Sequence, residues 1–432
     1  MKKTGLTKEE LSWMLYDVGN SAFVLVMVTA IMPIFFKDFA AKGLPDAIST
    51  ANWGFANSAA SLFLAVLAPV LGVMADYKGY KIRFFVGFMV VGLGFTLSLT
   101  LIQEGQWLLC LLLFVMARVG WAGANIFYDA FIVDVTAASL EPDRMDRVSA
   151  AGYAFGYIGS VVPFLIIIGL ILTANGDAYP SIPVFQSKLG FVVVVFWWLA
   201  FSLPMLKNVT QKYAAPASKA PVKDAFSRLW RTFGDIRRHQ RAFLFLAAYF
   251  FYIDGVDTII SMSTAYGRDL GFSVTLLIGV ILFIQIIAFP FALLYGRLAG
   301  RFSAKTMLMA GIGVYCVITL MAFLLPEIPD IKIKTVFFWM IAFLVGSSMG
   351  GIQALSRSFF GRLIPAENSA EFFGFYNIFG KFAAIAGPFL MGVVGSLTGH
   401  SRWGILSILL LFIAGAWLLS RVEAENPESS TV

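Results

Sequence analysis

Charged residues, cysteine and histidine are scarce in this sequence of 432 residues. Lys, Arg, Asp and Glu together make up 13% of the chain, about half of the share that is usual in soluble domains. Hydrophobic residues make up 59%, and the mean hydropathy is +0.82. So apolar a composition excludes an ordinary soluble domain and predicts an integral membrane protein.

The two cysteines and two histidines are too few and too scattered for a disulfide framework or a zinc site. Cys110 and Cys316 lie in separate apolar runs, where thiols serve as packing residues. His239 and His400 stand far apart and close to no cysteine. We therefore expect no bound metal.

Motifs for ATP hydrolysis and for enzymatic catalysis are also missing. The sequence has no Walker A motif, so ATP-driven transport is not expected. The stretch "GSSMG" at 346–350 matches the nucleophile elbow by letter, but it lies in an apolar run with no strand before it. No cofactor and no enzymatic activity are predicted, and "MKKTGLTKEE" does not have the pattern of a cleavable signal peptide.

Long apolar runs are abundant, and about 20 such residues in a helix cross the hydrocarbon core. Runs of this length exclude barrel strands, which alternate over about 10 residues. The sequence thus predicts an all-α integral membrane protein with twelve transmembrane helices. The predicted spans are 11–36, 51–75, 82–103, 107–135, 147–173, 190–206, 242–266, 274–299, 304–325, 334–362, 369–398 and 402–421.

Lys and Arg concentrate on one side of these spans, the side that holds the N-terminus if the helices alternate. The positive-inside rule places both termini in the cytoplasm. The net charge of +7 is thereby a topological signal, and no nucleic-acid partner is expected. The basic stretch 207–241 has apolar residues at helical spacing, which predicts an amphipathic linker on the membrane lipid. We predict six-helix halves at 1–206 and 242–432 on either side of it.

The two halves are internal repeats. "GVMADYKGYK" at 72–81 is followed 224 residues later by "GRLAGRFSAK" at 296–305. Pro142 and Pro365, and Gly152 and Gly374, recur at nearly the same offset. Parallel repeats of this kind are typical of transporters.

Polar side chains inside the apolar runs are the candidates for binding or coupling, because a charge at the bilayer centre costs at least about 2.5–3.5 kcal/mol. Asp17 and Asn20, and Asp254 and Asp257, are each three residues apart and share a helix face. Two carboxylates at that spacing are suited to holding a proton, and the sequence favours Asp257, helped by Asp254, as the site of a proton or an ammonium group. Packed polar or capping residues are the alternative, above all for Asp17. The other candidates are Arg118, Asn125, Asp129, Gln353, Asn377 and Lys381.

Asp134 and Arg357 are repeat equivalents of opposite charge near the same end of their helices. They suggest a gate on the inner side, and a static surface ion pair is the alternative.

The loop motif and the twelve helices resemble the major facilitator superfamily, whose pattern is Gly, three residues, Asp, then basic residues around a Gly. The first copy fits at Gly72, Asp76, Lys78, Gly79 and Lys81. The second copy, which includes Arg301, has Gly300 at the Asp position and Ser303 at the Gly position. The resemblance implies two six-helix bundles, a central cavity lined by helices one, four, seven and ten, and a cytoplasmic gate at these motifs.

Three longer stretches resemble one branch, the unknown major facilitators and their fungal relatives, the autophagy-related vacuolar amino-acid effluxers. They are "YDVGNSAF", "YIDGVDTI" and the segment 350–390. We expect a secondary active transporter, working as a monomer in the bacterial inner membrane. The expected solute is small and polar or zwitterionic, such as an amino acid, since buried arginines suit a carboxylate and buried aspartates suit an ammonium group or a coupling H⁺. An exporter of amphipathic, drug-like compounds and a receptor or scaffold that no longer transports are the alternatives.

Overall fold

The computed structural model describes residues 5–139, 141–174, 183–216 and 239–423. Within these ranges the chain is helical, and the only strand-like feature is one isolated bridge between Tyr77 and Ala215. The twelve long helical segments are α1 (Lys8–Ala40), α2 (Asp46–Ala75), α3 (Tyr80–Ser98), α4 (Trp107–Thr136), α5 (Arg144–Leu172), α6 (Val184–Asn208), α7 (Gln240–Asp269), α8 (Val274–Phe302), α9 (Ala304–Leu324), α10 (Ile331–Leu363), α11 (Ser369–Thr398) and α12 (Ser401–Ser407 with Leu409–Arg421).

The described helices confirm the predicted membrane architecture. Eleven of them are long and apolar enough to cross a bilayer, and α11 contains a shorter apolar stretch, Ala386–Gly395. The starts differ most for α6, which begins at Val184 instead of 190, and for α2, which begins at Asp46 instead of 51. The α1 segment begins at Lys8 instead of 11. Thr7 and Glu10 form a capping box there, so polar residues outside the apolar run set the start of the helix.

The α1 segment is irregular over its second half. Two stretches, Val24–Ala30 and Phe36–Ala40, adopt the wider π-helical turn, and a short α-helical piece containing Pro33 separates them. Proline has no N–H to donate to the preceding turn, which disfavours regular α-helical bonding around it. Such π segments are frequent at functional sites.

The chain forms two compact units. The first comprises Met1–Ser139, Phe155–Leu229 and Ala366–Phe375, and the second comprises Leu140–Ala154, Trp230–Pro365 and Tyr376–Val432. Each unit thus takes a short segment from the other half of the sequence. The predicted boundaries at 206 and 242 stay a prediction, and the amphipathic part of the linker, 217–238, lies outside the described residues.

Glycines set the closest helix approaches in the first unit. A methyl group on Gly120 of α4 would overlap the backbone of Gly92 on α3, and one on Gly123 would overlap the ring of Phe88. Without a hydrophobic driving force in lipid, such close packing is a main source of helix association.

Glycines also lie at close helix contacts in the second unit. A methyl group on Gly415 of α12 would lie 2.8 Å from Cβ of Tyr252 on α7, and one on Gly255 would press into the ring of Phe412. The helices α7 and α12 therefore pack in direct contact at these two glycines.

Replacing Gly120 with alanine tests this packing. The added methyl group meets backbone atoms, which cannot rotate away, so we expect Gly120→Ala to lower the free energy of unfolding by about 1–3 kcal/mol. Thermal unfolding of the purified protein in detergent measures the change. Gly94→Ala is the matched control on α3, since nothing lies within 4 Å of its added methyl group. Equal melting temperatures for both variants would contradict the packing argument.

Candidate functional site

The predicted pair on α1 is a hydrogen-bonded polar cluster. Asp17 and Asn20 are 7% and 5% exposed. Oδ1 of Asp17 accepts from the Asn20 amide at 3.3 Å, and Oδ2 accepts from the hydroxyl of Tyr128 at 2.6 Å. Asn20 in turn accepts from the indole N–H of Trp121 at 3.3 Å. The two residues share a face as predicted, and the contacts favour a fixed, packed carboxylate at Asp17.

The corresponding pair on α7 is arranged differently. Asp254 is fully buried, and its Oδ1 accepts from the backbone N–H of Gly387 at 2.8 Å and from the hydroxyl of Thr258 at 3.4 Å. Its Oδ2 is buried and has no hydrogen-bond partner among the described residues. Asp257, one turn further, is half-buried. Asp254 is thus the more enclosed of the two carboxylates.

Gly387 makes this arrangement possible. A methyl group at that position would overlap the hydroxyl of Thr258 and approach Oδ1 of Asp254 to 2.7 Å. Glycine therefore lets the backbone of α11 come within hydrogen-bonding distance of the α7 carboxylate. Pro388 follows in the helix and lacks an N–H, so regular helical bonding is already interrupted there.

The predicted residues of α4 are distributed along one side of the helix. Arg118 donates to the side-chain oxygen of Asn57 on α2, a partner that the sequence analysis missed although Asn57 is a polar residue in a predicted span. Oδ1 of Asn125 is buried without a hydrogen-bond partner in the described part of the chain. Asp129 is half-buried.

The remaining predicted polar residues lie in the second unit. Gln353 on α10 and Asn377 on α11 are half-buried. Lys381 also lies on α11, but its side chain is outside the described part of the molecule.

The loop motif of the first unit ends at a helix N-terminus. Asp76 is fully buried, and its two carboxylate oxygens accept from the backbone N–H groups of Ala370 at 2.8 Å and Glu371 at 3.1 Å. These donors belong to the first turn of α11, where N–H groups have no partner within the helix and the dipole favours a negative charge. Gly72 is required for the approach, since a methyl group there would lie 2.5 Å from the carbonyl oxygen of Ala370.

The basic part of the motif forms a buried ion pair. Nζ of Lys81 donates to Oδ2 of Asp134 at 2.8 Å and to the hydroxyl of Ser369 at 2.8 Å, with both charged side chains fully buried. Gly79 turns the loop with a φ of 78°, and Lys78 is exposed. Asp134 is therefore paired with Lys81 inside the protein. It does not form the surface ion pair that was the alternative interpretation of its sequence position.

The segment after α6 braces the same loop. The side chain of Gln211 accepts from Gly79 N–H at 2.9 Å and donates to the carbonyl of Asp76 at 3.2 Å. The backbone N–H groups of Lys212 and Tyr213 donate to Oδ1 of Asp134 at 2.7 and 3.0 Å. This brace cannot be predicted from the sequence, because an extended segment without periodicity has no recognisable pattern.

The second unit holds Arg357 in an aromatic and polar pocket. Its guanidinium donates to Oγ of Ser149 at 2.9 Å and to the carbonyl of Ser149 at 3.1 Å, and it lies 4.3 Å from the ring centre of Tyr153. Arg357 is 1% exposed, so it is not a surface residue either. The next residue, Ser358, donates to Asp146 at 2.5 Å, and Arg362, about one turn further, pairs with the same carboxylate at 2.8 Å.

The second loop motif departs from the first as the sequence indicates. A methyl group on Gly300 would overlap the carboxylate of Asp143, which comes from the chain just before α5. In the first motif the carboxylate is that of Asp76, which belongs to the loop itself. In the second motif it is that of Asp143, which belongs to the segment facing the loop. Arg301 is exposed, and its guanidinium lies 5.5 Å from the ring of Phe302.

A family model described as "Vacuole effluxer Atg22 like" matches residues 44–430. The chain belongs to this family. The MFS-type transporter YxiO of Bacillus subtilis is 45% identical over 97% of this chain and 96% of its own length. Autophagy-related protein 22 of Coccidioides immitis is 25% identical over 87% of this chain and 73% of its own.

Solved structures agree on the fold. The proton:xylose symporter XylE superposes with a TM-score of 0.71 at 10% identity, covering 96% of this chain and 94% of its own. FucP gives 0.70 at 16% identity, covering 96% and 99%. The fold is that of the major facilitator superfamily, and this Atg22-like protein is a multi-pass integral membrane protein of the transporter class. Its relatives are transporters and not enzymes.

Replacing Asp76 tests the role of its carboxylate at the start of α11. Asp76→Ala removes the acceptor of two N–H groups, and each hydrogen bond to a charged group contributes about 1.5–3 kcal/mol. We expect the amides of Ala370 and Glu371 to exchange with deuterium at least about tenfold faster, measured by mass spectrometry of peptides covering 366–375. Arg83→Ala, at an exposed residue just after the loop, should leave that exchange unchanged. Unaltered protection in Asp76→Ala would show that the contact does not hold the helix start.

Proposed function

We propose that this protein is a proton-coupled secondary active transporter of a small polar or zwitterionic solute, such as an amino acid, acting as a monomer in the bacterial cytoplasmic membrane. The observation that carries the coupling proposal is the buried carboxylate of Asp254. Transport as such follows from the family, and the coupling and the solute are the proposed parts.

Asp254 combines two properties that a coupling group needs. Its full burial makes a lasting negative charge costly. Its Oδ2, without a hydrogen-bond partner in the described part of the chain, is available to bind a proton. Meanwhile Oδ1 stays fixed by the Gly387 N–H, so the side chain keeps its position in either protonation state.

The comparison with Asp17 sharpens this assignment. Both residues stand at equivalent places in the repeated sequence, yet both oxygens of Asp17 accept hydrogen bonds from side chains. Protonating Asp17 would disrupt at least one of these bonds. The proton is therefore assigned to α7, with Asp257 as the neighbouring carboxylate on the same face.

The solute class is proposed from charges on α4. The guanidinium of Arg118 can bind a carboxylate with two parallel hydrogen bonds. The buried Oδ1 of Asn125 is an acceptor that suits an ammonium group. The two residues are seven apart, so they lie on one face of the helix, two turns from each other. A donor and an acceptor on one face favour a zwitterion over an amphipathic compound.

Asparagine at position 254 tests the coupling. Asp254→Asn keeps an oxygen for the Gly387 N–H and removes the ionisable group. After a thermal-shift screen of purified protein against the common amino acids, the stabilising solute is loaded into liposomes under a pH gradient. We expect the variant to lose gradient-driven accumulation and to retain solute exchange, which needs no net proton movement. Asp257→Asn is expected to reduce accumulation as well.

Asp330→Asn is the matched control, because Asp330 is an exposed carboxylate that caps α10. Accumulation at the wild-type level and pH dependence in Asp254→Asn and Asp257→Asn together would refute proton coupling through α7. Stabilisation by amphipathic cations and by no amino acid would instead favour the drug-like exporter, and a protein that moves no solute would favour the receptor.

Cysteine labelling tests the orientation. In a background with Cys110 and Cys316 replaced by serine, we place single cysteines at Thr210, after α6, and at Thr398, at the end of α11; both positions are exposed. The Lys and Arg bias predicts that an impermeant maleimide added to intact cells labels only position 398. Labelling of position 210 alone would reverse the proposed orientation.

A further inference from the structure

A polar cavity of about 500 Å³ lies where α7 begins and α12 ends. Its wall includes His239 and Arg241 at the start of α7, Leu363 at the end of α10, and Arg421 and Glu423 at the end of α12. None of these residues takes part in the site described above. The volume lies within the range of about 300–1,000 Å³ that is usual for sites of small ligands.

The cavity carries an excess of positive charge. Arg241 pairs with Glu423 at 2.7 Å, but the side chains are 55% and 73% exposed, and such exposed pairs contribute little and exchange partners easily. Arg421 is a second cation in the wall. Lys305 donates to the carbonyls of Ser420 at 2.8 Å and Val422 at 2.6 Å, which fixes the end of α12 and adds a third cation beside the cavity.

Arg421 of the cavity wall also lies against an apolar surface of α12. Leu410, Ile413 and Trp417 are 63%, 56% and 56% exposed on this helix. The guanidinium of Arg421 lies 4.8 Å from the ring centre of Trp417. Exposed tryptophan beside an arginine at the end of a membrane helix is typical of the membrane–water interface. From this pairing we infer a depth near the lipid phosphates, beside the acyl chains.

We propose that this cavity binds the phosphate headgroup of an anionic phospholipid. Arg241 and Arg421 bind the phosphate, and the acyl chains lie along Trp417 and Ile413. Basic pockets between membrane helices are known to take such headgroups. The lipid is favoured over a free phosphate because Arg421, in the cavity wall, is in contact with Trp417 on the apolar face of α12. Bound lipid would hold the start of α7, the helix that carries Asp254, against α12.

Native mass spectrometry of the full-length protein, delipidated in detergent and titrated with phosphatidylglycerol or phosphatidylcholine, tests the proposal. We expect phosphatidylglycerol to be retained preferentially. Replacing both arginines, Arg241→Gln with Arg421→Gln, should weaken that retention by about 30-fold, the effect of losing two cations near the membrane surface. Arg297→Gln on α8 is the matched control, an exposed arginine away from the cavity, and should retain the lipid as the wild type does.

A second variant keeps the test informative if the double variant fails to fold. Glu423→Gln removes the acidic residue of the cavity wall and frees Arg241, so it should bind phosphatidylglycerol more tightly than the wild type. Equal retention of both lipids, or unchanged retention in the double and Glu423→Gln variants, would overturn the proposal. If millimolar inorganic phosphate displaces phosphatidylglycerol and alone stabilises the protein against heat equally well, the lipid proposal is wrong and the cavity binds a soluble anion.

Discussion

Hydrocarbon offers no hydrogen bonds, so every carboxylate within a membrane protein has to find its donors in the protein. Much of this structure follows from that constraint. Asp17 takes a tyrosine and an asparagine, Asp134 takes a lysine and two backbone amides, and Asp146 takes a serine and an arginine. Asp254 receives donors on one oxygen only. Its second oxygen is buried without a donor in the described part of the chain, and the proton coupling proposed for this residue rests on that.

The architecture was predictable from the sequence because lipid demands long apolar runs, and those runs remain visible whatever the tertiary contacts are. The loop motif was equally visible, since its glycines and its Asp stand at fixed spacing. Helix ends were harder to predict. The α1 segment starts with polar residues that cap the helix, and these lie outside the apolar run that identifies it in the sequence.

The partners of the predicted residues were not predictable, for a reason that Lys81 illustrates. Its contacts, Asp134 and Ser369, lie 53 and 288 residues away, and no local period connects them. Asn57 as the partner of Arg118 and Gln211 as the brace of the loop are similar cases. The distinction between Asp17 and Asp254 also needed the fold, because the partners from other helices, the Tyr128 hydroxyl for Asp17 and the Gly387 N–H for Asp254, cannot be found from the local spacing.

The distance along the chain between Asp76 and its donors has a consequence for biosynthesis. Ala370 is 294 residues further on. At a synthesis rate of about 5–20 residues per second, the ribosome needs roughly 15–60 s to reach it after Asp76 has emerged. During that interval the first helices are inserted while the carboxylate still depends on water. Until then the inserted N-terminal half is an intermediate in which Gln211 can already brace the loop, while the carboxylate of Asp76 still lacks its two backbone donors.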